Sequence, residues 1–215
     1  MSGGKFRAVV FDLLTGLLDS WTLWDSIAGN VGDGRRWRSA YLKNTYAEGG
    51  YRPYETLVRE AAVEIGRSPD LGERQAARYD ELKPWPEVPE VLGKLQGAFR
   101  LGIVTNCSEA LGRSAASRTG IAFDTIVTAE RAGFYKPRPE AYRLALNELG
   151  AAAAECLFVA GSAYDLFGAA AVGMPVFWHD RIGMPTPPDA PPPLARHDSL
   201  YPLPAVLFRD NRKMG

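Results

Sequence analysis

The stretch VVFDLLTGLLDSW, residues 9 to 21, places an aspartate directly after an apolar, β-branched run. Such a run predicts a strand buried within a sheet. Asp12 ends this predicted strand and is followed by two leucines and the turn residues Thr15-Gly16. Because a buried carboxylate without a partner is energetically costly, its place at a strand end requires a specific reason.

Outward from this stretch, predicted strands alternate with predicted helices. The strands are short and rich in Val, Ile and Phe, as expected for strands covered on both faces. The segments between the later strands have apolar residues at helical spacing. This alternation predicts an α/β fold with a doubly wound parallel sheet. The predicted strands lie at 6–11, 99–106, 123–129, 156–162 and 174–180, and the predicted helices at 88–96, 109–120, 139–150 and 163–173.

Residues 20–83 interrupt the alternation, since their apolar and aromatic residues recur at helical spacing without a strand pattern. They predict an all-helical insertion into a core made of residues 1–19 and 84–215. The segment LKPWPEVP, residues 82–89, predicts the return hinge, because its prolines resist helix and stiffen the connection. A second proline-rich segment, residues 184–194, predicts a loop.

Composition narrows the classes of function. The 25 Lys and Arg residues balance 25 Asp and Glu residues, so no net charge favours nucleic acid or an anionic membrane as a partner. Cys107 and Cys156 are far apart and have no metal-ligand spacing, which favours free thiols in a reduced compartment. No apolar run is long enough for a membrane span, and no secretion signal is evident. We therefore expect a cytoplasmic protein.

Polar residues follow several of the predicted strands. Asp12 follows the first strand, Thr105 and Asn106 end the second, Lys136 lies in the loop after the third, and Asp165 follows the fourth. In an open α/β sheet, ligands bind at the carboxyl ends of the strands. Each residue alone is more often a helix cap, a turn former or a solvated charge than a site residue. Together, they predict a site for a small molecule.

Four motifs in this order are more specific. They are FDLLTG (11–16), IVTN (103–106), YKPRPEAY (135–142) and FVAGSAYDLFGAAAVGMPVFW (158–178). With a helical insertion after the first motif, the chain resembles the haloacid dehalogenase superfamily over nearly its whole length. The resemblance implies a Rossmann-like core, an inserted all-helical cap, and covalent catalysis by Asp12.

Two residues that are typical of the superfamily's phosphatases are missing. These enzymes carry a second aspartate two residues after the nucleophile, where this chain has Leu14. Their fourth motif begins with an aspartate that helps to bind Mg²⁺, where this chain has Gly161. Halide leaves carbon as a stable anion and needs neither an acid nor a metal. The resemblance therefore implies no metal and no cofactor, and it favours the dehalogenase branch.

Further positions resemble the 2-haloacid dehalogenases. That subgroup carries a Trp-Arg dipeptide on the cap, as at Trp37-Arg38, a tyrosine six residues after the motif-three lysine, as at Tyr142, and an aromatic residue before the last aspartate, as at Tyr164. The family order Gly-Thr in the first motif is reversed to Thr15-Gly16. This reversal predicts a displaced hydroxyl.

The resemblance implies a role for each residue. Asp12 is the nucleophile, Lys136 keeps it ionised, and Asp165 orients or deprotonates the hydrolytic water. Thr105 and the backbone N–H groups after Asp12 hold the substrate carboxylate. The implied substrate-binding residues are Leu13 and Leu14 as apolar walls, Arg38, Asn106 and Tyr164 around the halide, Thr105, Tyr142, and Ser162 in place of an asparagine.

Simpler interpretations remain open for three of these residues. Asp165 is also suited to capping the following helix. Arg38 lies among several arginines on a helix whose basic face is ordinarily solvated. Tyr142 has the spacing of a core residue.

Three functions follow for testing. The first is metal-free hydrolysis of 2-haloalkanoic acids through an aspartyl ester. The alternatives are a Mg²⁺-dependent phosphatase of small molecules and a non-catalytic descendant. The aromatic-rich insertion is also compatible with a homodimer.

Overall fold

The computed structural model, which describes residues 5–210, contains one parallel sheet of six strands. The strands are β1 (Ala8–Phe11), β2 (Arg100–Thr105), β3 (Thr125–Thr128), β4 (Cys156–Ala160), β5 (Val176–His179) and β6 (Ala195–His197). Their order is β3-β2-β1-β4-β5-β6, which places β1 between β2 and β4. The first five lie within the predicted strands, and β6 was not predicted. The doubly wound α/β fold is confirmed.

Helices cover both faces of the sheet. The side chains of β1 alternate between two hydrophobic clusters, Val9 and Phe11 in one and Ala8 and Val10 in the other. This alternation explains the continuous apolar run in the sequence, since both faces are buried. One face packs against α5 (Val88–Leu95), α6 (Glu109–Ser117), the short α7 (Ala129–Ala132) and α10 (Leu203–Asp210), and the other against α8 (Pro139–Leu149) and α9 (Asp165–Ala171).

Residues 20–83 contain helices and no strand, as predicted. The helices are α1 (Ser20–Ala28), α2 (Val31–Ala47), α3 (Tyr54–Glu64) and α4 (Asp70–Ala77), followed by a 3₁₀ turn, Tyr79–Glu81. Asp19 and Asn30 cap α1 and α2, since their side chains accept hydrogen bonds from the backbone N–H groups of Thr22 and Asp33. None of the helices within residues 5–210 has the length and apolar character needed to cross a bilayer.

The chain enters and leaves this helical segment at one place. An isolated antiparallel bridge pairs Leu18 with Pro84, and the Asp19 N–H donates to Lys83 O at 2.8 Å. The exact domain boundaries stay a prediction, and the ends of the predicted core, residues 1–4 and 211–215, lie outside the described residues.

Gly168 brings α9 into direct contact with the loop that carries Lys136. A Cβ atom at this position would lie 2.5 Å from Pro137 O and 2.5 Å from Tyr142 Cε2. We expect Gly168→Ala to lower the free energy of unfolding by about 1–3 kcal/mol, because backbone must shift to admit the methyl group. Urea unfolding measures this loss.

Gly93 in α5 provides the matched control, since a Cβ there has no neighbour within 4 Å. Gly93→Ala should leave stability unchanged or raise it by up to about 1 kcal/mol, because alanine is the better helix former. Equal stability of the two variants would contradict the close packing of α9.

Candidate active site

Asp12, Lys136 and Asp165 form one buried cluster at the carboxyl end of the sheet. Lys136 Nζ lies 2.7 Å from Asp12 Oδ1 and 3.0 Å from Asp165 Oδ1. All three side chains are at most 8% exposed. Asp12 follows β1 and Asp165 begins α9 after the neighbouring β4, so the parallel strand order brings the two carboxylates to the same ammonium group.

The second oxygen of Asp12 is held by the turn that follows it. Asp12 Oδ2 accepts hydrogen bonds from the Thr15 N–H at 3.0 Å, the Thr15 hydroxyl at 2.6 Å and the Gly16 N–H at 2.9 Å. Gly16 has no room for a side chain, since a Cβ would lie 2.3 Å from Asp12 O. The reversed Thr-Gly order therefore still places a hydroxyl against Asp12 Oδ2. Thr15 was not predicted as a site residue.

The environment separates the proton affinities of the two aspartates. Burial raises the pKa of Asp12, but the charge of Lys136 and the hydrogen bonds from Lys136 and Thr15 outweigh it and lower that pKa below its usual value. Burial raises the pKa of Asp165 above its usual value, and Lys136 offsets only part of this effect. Asp12 is thus suited to act as an anionic nucleophile and Asp165 to accept a proton.

Tyr142 supports Asp165 from outside the cavity. Its hydroxyl donates to Asp165 Oδ1 at 2.8 Å, and its ring is fully buried against Phe158. The sequence predicts that Tyr142 contacts the substrate. In the structure, its side chain packs in the core beneath the cluster and does not line the cavity. Asp165 does not act as a simple helix cap, since its oxygens contact Lys136 and Tyr142.

Arg38 reaches the cluster from α2. It is 6% exposed, and its guanidinium lies 3.9 Å from the ring centre of Trp21. Its Nη1 atom is buried without a hydrogen-bond partner among residues 5–210. Burial lowers the pKa of Arg38 and the charge of Asp12 opposes this, but a guanidinium stays protonated. The side chain is therefore a buried cation with unused hydrogen-bonding capacity, not part of a solvated basic face.

A cavity of about 40 Å³ lies between the sheet and the helices of residues 20–83. Of the predicted substrate-binding residues, Leu14, Arg38, Asn106, Ser162 and Tyr164 line it. The ring of Tyr164 contacts that of Tyr46, with centroids 4.8 Å apart. Further lining residues were not predicted, and most of them lie on α1 to α3. Helical spacing indicates that these side chains are buried, but not whether they face the core or the cavity. The further lining residues are Thr15, Ser20, Trp24, Tyr41, Leu42, Tyr46, Tyr54 and Pro137.

Leu13 and Thr105 do not line this cavity, in contrast to the prediction. Leu13 is fully buried in the core, and its neighbour Leu14 faces the cavity instead. Thr105 ends β2 with its hydroxyl 3.7 Å from Cys107 Sγ, on the side of α6. Because adjacent strand residues point to opposite faces, Asn106 occupies the cavity side that Thr105 cannot reach.

Asn106 lines the cavity but its amide serves Lys136. The side-chain Nδ2 donates to Lys136 O at 3.0 Å, and Oδ1 accepts from the Lys136 N–H at 2.7 Å. The backbone carbonyl of Asn106 accepts a hydrogen bond from the Tyr41 hydroxyl of α2 at 2.8 Å. Asn106 thus connects the helical segment with the loop that positions the ammonium group.

The structure thus combines a doubly wound core, a helical insertion and an Asp–Lys–Asp cluster at the strand ends. The chain belongs to the haloacid dehalogenase-like hydrolases, whose family model matches residues 6–173. This result confirms the family resemblance of the motifs.

Individual relatives are similar over most of their length. The chain is 30% identical to haloacetate dehalogenase H-2 of Moraxella sp. (strain B), over 83% of this chain and 88% of the relative. It is 28% identical to (S)-2-haloacid dehalogenase 4A of Burkholderia cepacia, over 97% of this chain and 98% of the relative. The crystal structure of a dehalogenase with an intermediate complex has a TM-score of 0.83 and 26% identity, covering 95% of this chain and 98% of that one.

Proposed function

We propose that this protein hydrolyses short 2-haloalkanoic acids through an ester on Asp12, without a metal ion. The observation that carries the proposal is the contact of one buried ammonium group, Lys136 Nζ, with both Asp12 and Asp165. It keeps Asp12 ionised in a site that water enters poorly, as a carboxylate nucleophile requires. The similarity to haloacetate and (S)-2-haloacid dehalogenases supports the same reaction.

In the first step, Asp12 attacks C2 of the substrate from the face opposite the halogen. The new bond joins Asp12 Oδ1 to C2, and the halogen leaves with the electrons of the carbon–halogen bond. We assign Oδ1 to this bond because it accepts one hydrogen bond, whereas Oδ2 accepts three. Arg38 stabilises the departing halide, since its Nη1 has no other hydrogen-bond partner within residues 5–210.

In the second step, water attacks Cγ of the ester. Asp165 accepts a proton from this water, and negative charge develops on Oδ2, where the donors of Thr15 and Gly16 receive it. The bond between Cγ and Oδ1 then breaks, the proton passes to Oδ1, and a 2-hydroxy acid leaves. The regenerated Asp12 carries an oxygen from water and releases the remaining proton.

The size of the cavity favours small substrates. Its volume of about 40 Å³ corresponds to roughly three water molecules. Leu14, Trp24 and Leu42 supply apolar walls that suit a carbon–halogen bond. We therefore expect haloacetates and 2-halopropionates to react faster than longer acids.

The donor set does not fit the magnesium ion of a phosphatase. Mg²⁺ requires an octahedral set of oxygen ligands, commonly with carboxylates among them. Asp12 and Asp165 are both bound to Lys136, whose ammonium group would repel a cation placed between them. Among residues 5–210, no three His, Cys, Asp or Glu side chains are grouped to hold a metal. The proposed steps therefore use the residues of the chain alone.

The test combines halide release with isotope labelling. The protein is incubated with haloacetates and 2-halopropionates in H₂¹⁸O over many turnovers, and the Asp12 peptide is then analysed by mass spectrometry. Label in Asp12 together with halide release supports the ester route. Label in the product alone would mean direct attack of water on C2. Folded protein that releases no halide, or that hydrolyses p-nitrophenyl phosphate with Mg²⁺, contradicts the proposal.

Arg38→Gln should lower kcat/KM for 2-haloacids by about 10²–10³-fold, because it removes the buried cation that stabilises the halide. Stability should stay the same or rise slightly, since the variant no longer buries a guanidinium nitrogen without a partner. Steady-state kinetics and thermal unfolding measure the two effects.

Arg36→Gln is the matched control on the same helix. The Arg36 side chain is 65% exposed and pairs with Asp33 at the surface. Its replacement should leave kcat/KM unchanged, and equal losses in the two variants would refute the specific role of Arg38.

A further inference from the structure

The turn Thr15-Gly16 supplies three donors to Asp12 Oδ2, so its position decides how well that oxygen is held. The turn rests directly on the end of β4. A Cβ atom on Gly161 would lie 2.3 Å from Gly16 N and 2.4 Å from Thr15 Oγ1, so no side chain fits between them.

The turn is also contacted from β5. This strand is separated from β1 by β4, yet His179 at its end reaches the nucleophile turn. His179 Nδ1 lies 2.9 Å from Gly16 O, and Trp85 Nε1 donates to Thr15 O at 3.1 Å. The two carbonyl groups of the turn are therefore bound on one side while its two N–H groups bind Asp12 on the other.

The contact fixes the proton of the imidazole. A carbonyl oxygen only accepts hydrogen bonds, so Nδ1 of His179 carries the hydrogen. Nε2 then has a bare lone pair, and it has no hydrogen-bond partner within residues 5–210. The ring is fully buried, and burial lowers the pKa of His179, which favours this neutral form. The backbone groups of Gly16 and Asp198 and the charge of Glu87 oppose this effect without outweighing it.

The charged groups beside the ring are consistent with a neutral histidine. Glu87 Oε1 lies 3.7 Å from Nε2, beyond hydrogen-bond distance. This oxygen instead binds Arg181 Nη1 at 3.0 Å and the Leu200 N–H at 3.2 Å. The charge of Glu87 is thus compensated without protonation of His179. On the other side of the turn, the charged groups that face Asp12 are Lys136, Asp165 and Arg38.

We propose that His179 is a positioning residue that, through its hydrogen bond to Gly16 O, fixes the donors that hold Asp12 Oδ2. It does not touch the substrate. Under the proposed function, these donors receive the negative charge that forms on Oδ2 when water attacks the ester, so His179 acts chiefly on the second step. The catalytic part of this inference rests on that proposed function, and the hydrogen bond itself does not.

The kinetic test compares three variants. His179→Leu removes the donor and should lower kcat by about 10- to 100-fold, because a small displacement of the turn misplaces the reacting groups. Since ester formation is affected less than ester hydrolysis, a covalent adduct on Asp12 should accumulate and be visible in the mass of the intact protein. His179→Asn, whose amide nitrogen can replace Nδ1 as the donor, should restore most of the rate and remove the adduct.

His197→Leu is the control, since His197 is the other histidine of the chain. It lies in β6, where its ring stacks on Phe177 of β5, away from Asp12. It should keep kcat unchanged. A His179→Leu variant with wild-type kcat and no adduct overturns the proposal, and so does a His179→Asn variant that is no better than His179→Leu.

A measurement on the unliganded wild-type protein does not depend on the reaction. With two histidines in the chain, the imidazole nitrogens can be resolved by ¹⁵N NMR and assigned with His197→Leu. We expect one ring with hydrogen on Nδ1 and with a pKa below the usual value for histidine, because the ring is buried. If His179 carries its hydrogen on Nε2, the hydrogen bond to Gly16 O is refuted even if His179→Leu fails to fold. Wild-type protein that releases no halide refutes the proposed function instead.

Discussion

Asp12→Asn should abolish halide release, with kcat at least about 10⁴-fold below the wild type. The amide nitrogen and oxygen cannot displace halide as a carboxylate does, and no other carboxylate is placed to substitute, since Asp165 is held by Lys136 and Tyr142. Stability should fall moderately, because the favourable charge contact of Asp12 with Lys136 is lost, while Lys136 keeps Asp165 as its partner and the amide oxygen still accepts the hydrogen bonds from Thr15 and Gly16. Ion chromatography of halide and thermal unfolding measure both effects.

Asp19→Asn is the matched control, because it makes the same replacement seven residues away at the cap of α1, and asparagine also caps helices well. It should retain full activity. Slow deamidation of the introduced asparagine would regenerate aspartate and restore activity. Asp12→Ala cannot undergo this reaction and therefore excludes it as a source of turnover. Substantial turnover by Asp12→Ala would end the proposed mechanism.

Lys136→Met should have the second largest effect, on both turnover and stability. It leaves two buried carboxylates without their shared cation, and breaking a buried ion pair in this way costs about 3–5 kcal/mol. Turnover should also fall, because burial then raises the pKa of Asp12 and part of the nucleophile becomes protonated. Urea unfolding at several pH values tests the expectation.

The pH dependence of this loss has a definite sign. In Lys136→Met, the folded-state pKa values of Asp12 and Asp165 lie above their unfolded values of about 3.9, so the folded protein binds more protons. The variant should be most stable in acid and lose stability as the pH rises. In the wild type, the lowered pKa of Asp12 acts in the opposite sense: its contribution is present above the unfolded pKa and is lost as the pH falls through the folded pKa.

Lys94→Met is the control for charge removal. Lys94 is 55% exposed and pairs with Glu90 on the surface of α5. Its replacement should change stability by less than about 1 kcal/mol at every pH. A similar pH profile for the two variants would show that the buried cluster is not the source of the effect.

The sheet was predictable because its central strands are buried on both faces and therefore read as continuous apolar runs. β6 was not predicted, since it is three residues long, follows a proline-rich loop and is only partly buried. Short strands at a sheet edge have no periodicity to detect. Their pairing depends on the neighbouring strand, which the sequence does not identify.

The Asp–Lys–Asp cluster was predictable in part, because parallel strands bring their carboxyl ends to one edge of a sheet, which favours a short distance between Asp12 and Asp165. The sequence did not predict which face of α2 points toward the site. Arg35 and Arg36 are exposed and Arg38 is buried, a difference that depends on how the helix packs against the sheet. The same holds for Thr105 and Asn106, where one residue of register decides which side chain reaches the cavity.

Under the proposed function, the division of the site between two parts of the chain would link halide release to product release. Arg38 belongs to a helix of the insertion, whereas the Asp–Lys–Asp cluster belongs to the sheet, and Tyr41 and Asn106 bridge the two. Moving α2 away from the sheet would withdraw the guanidinium from the cluster and unseal the cavity in a single displacement. The halide and the hydroxy acid would then leave together, and water would reach Asp12 freely only after the ester has been hydrolysed.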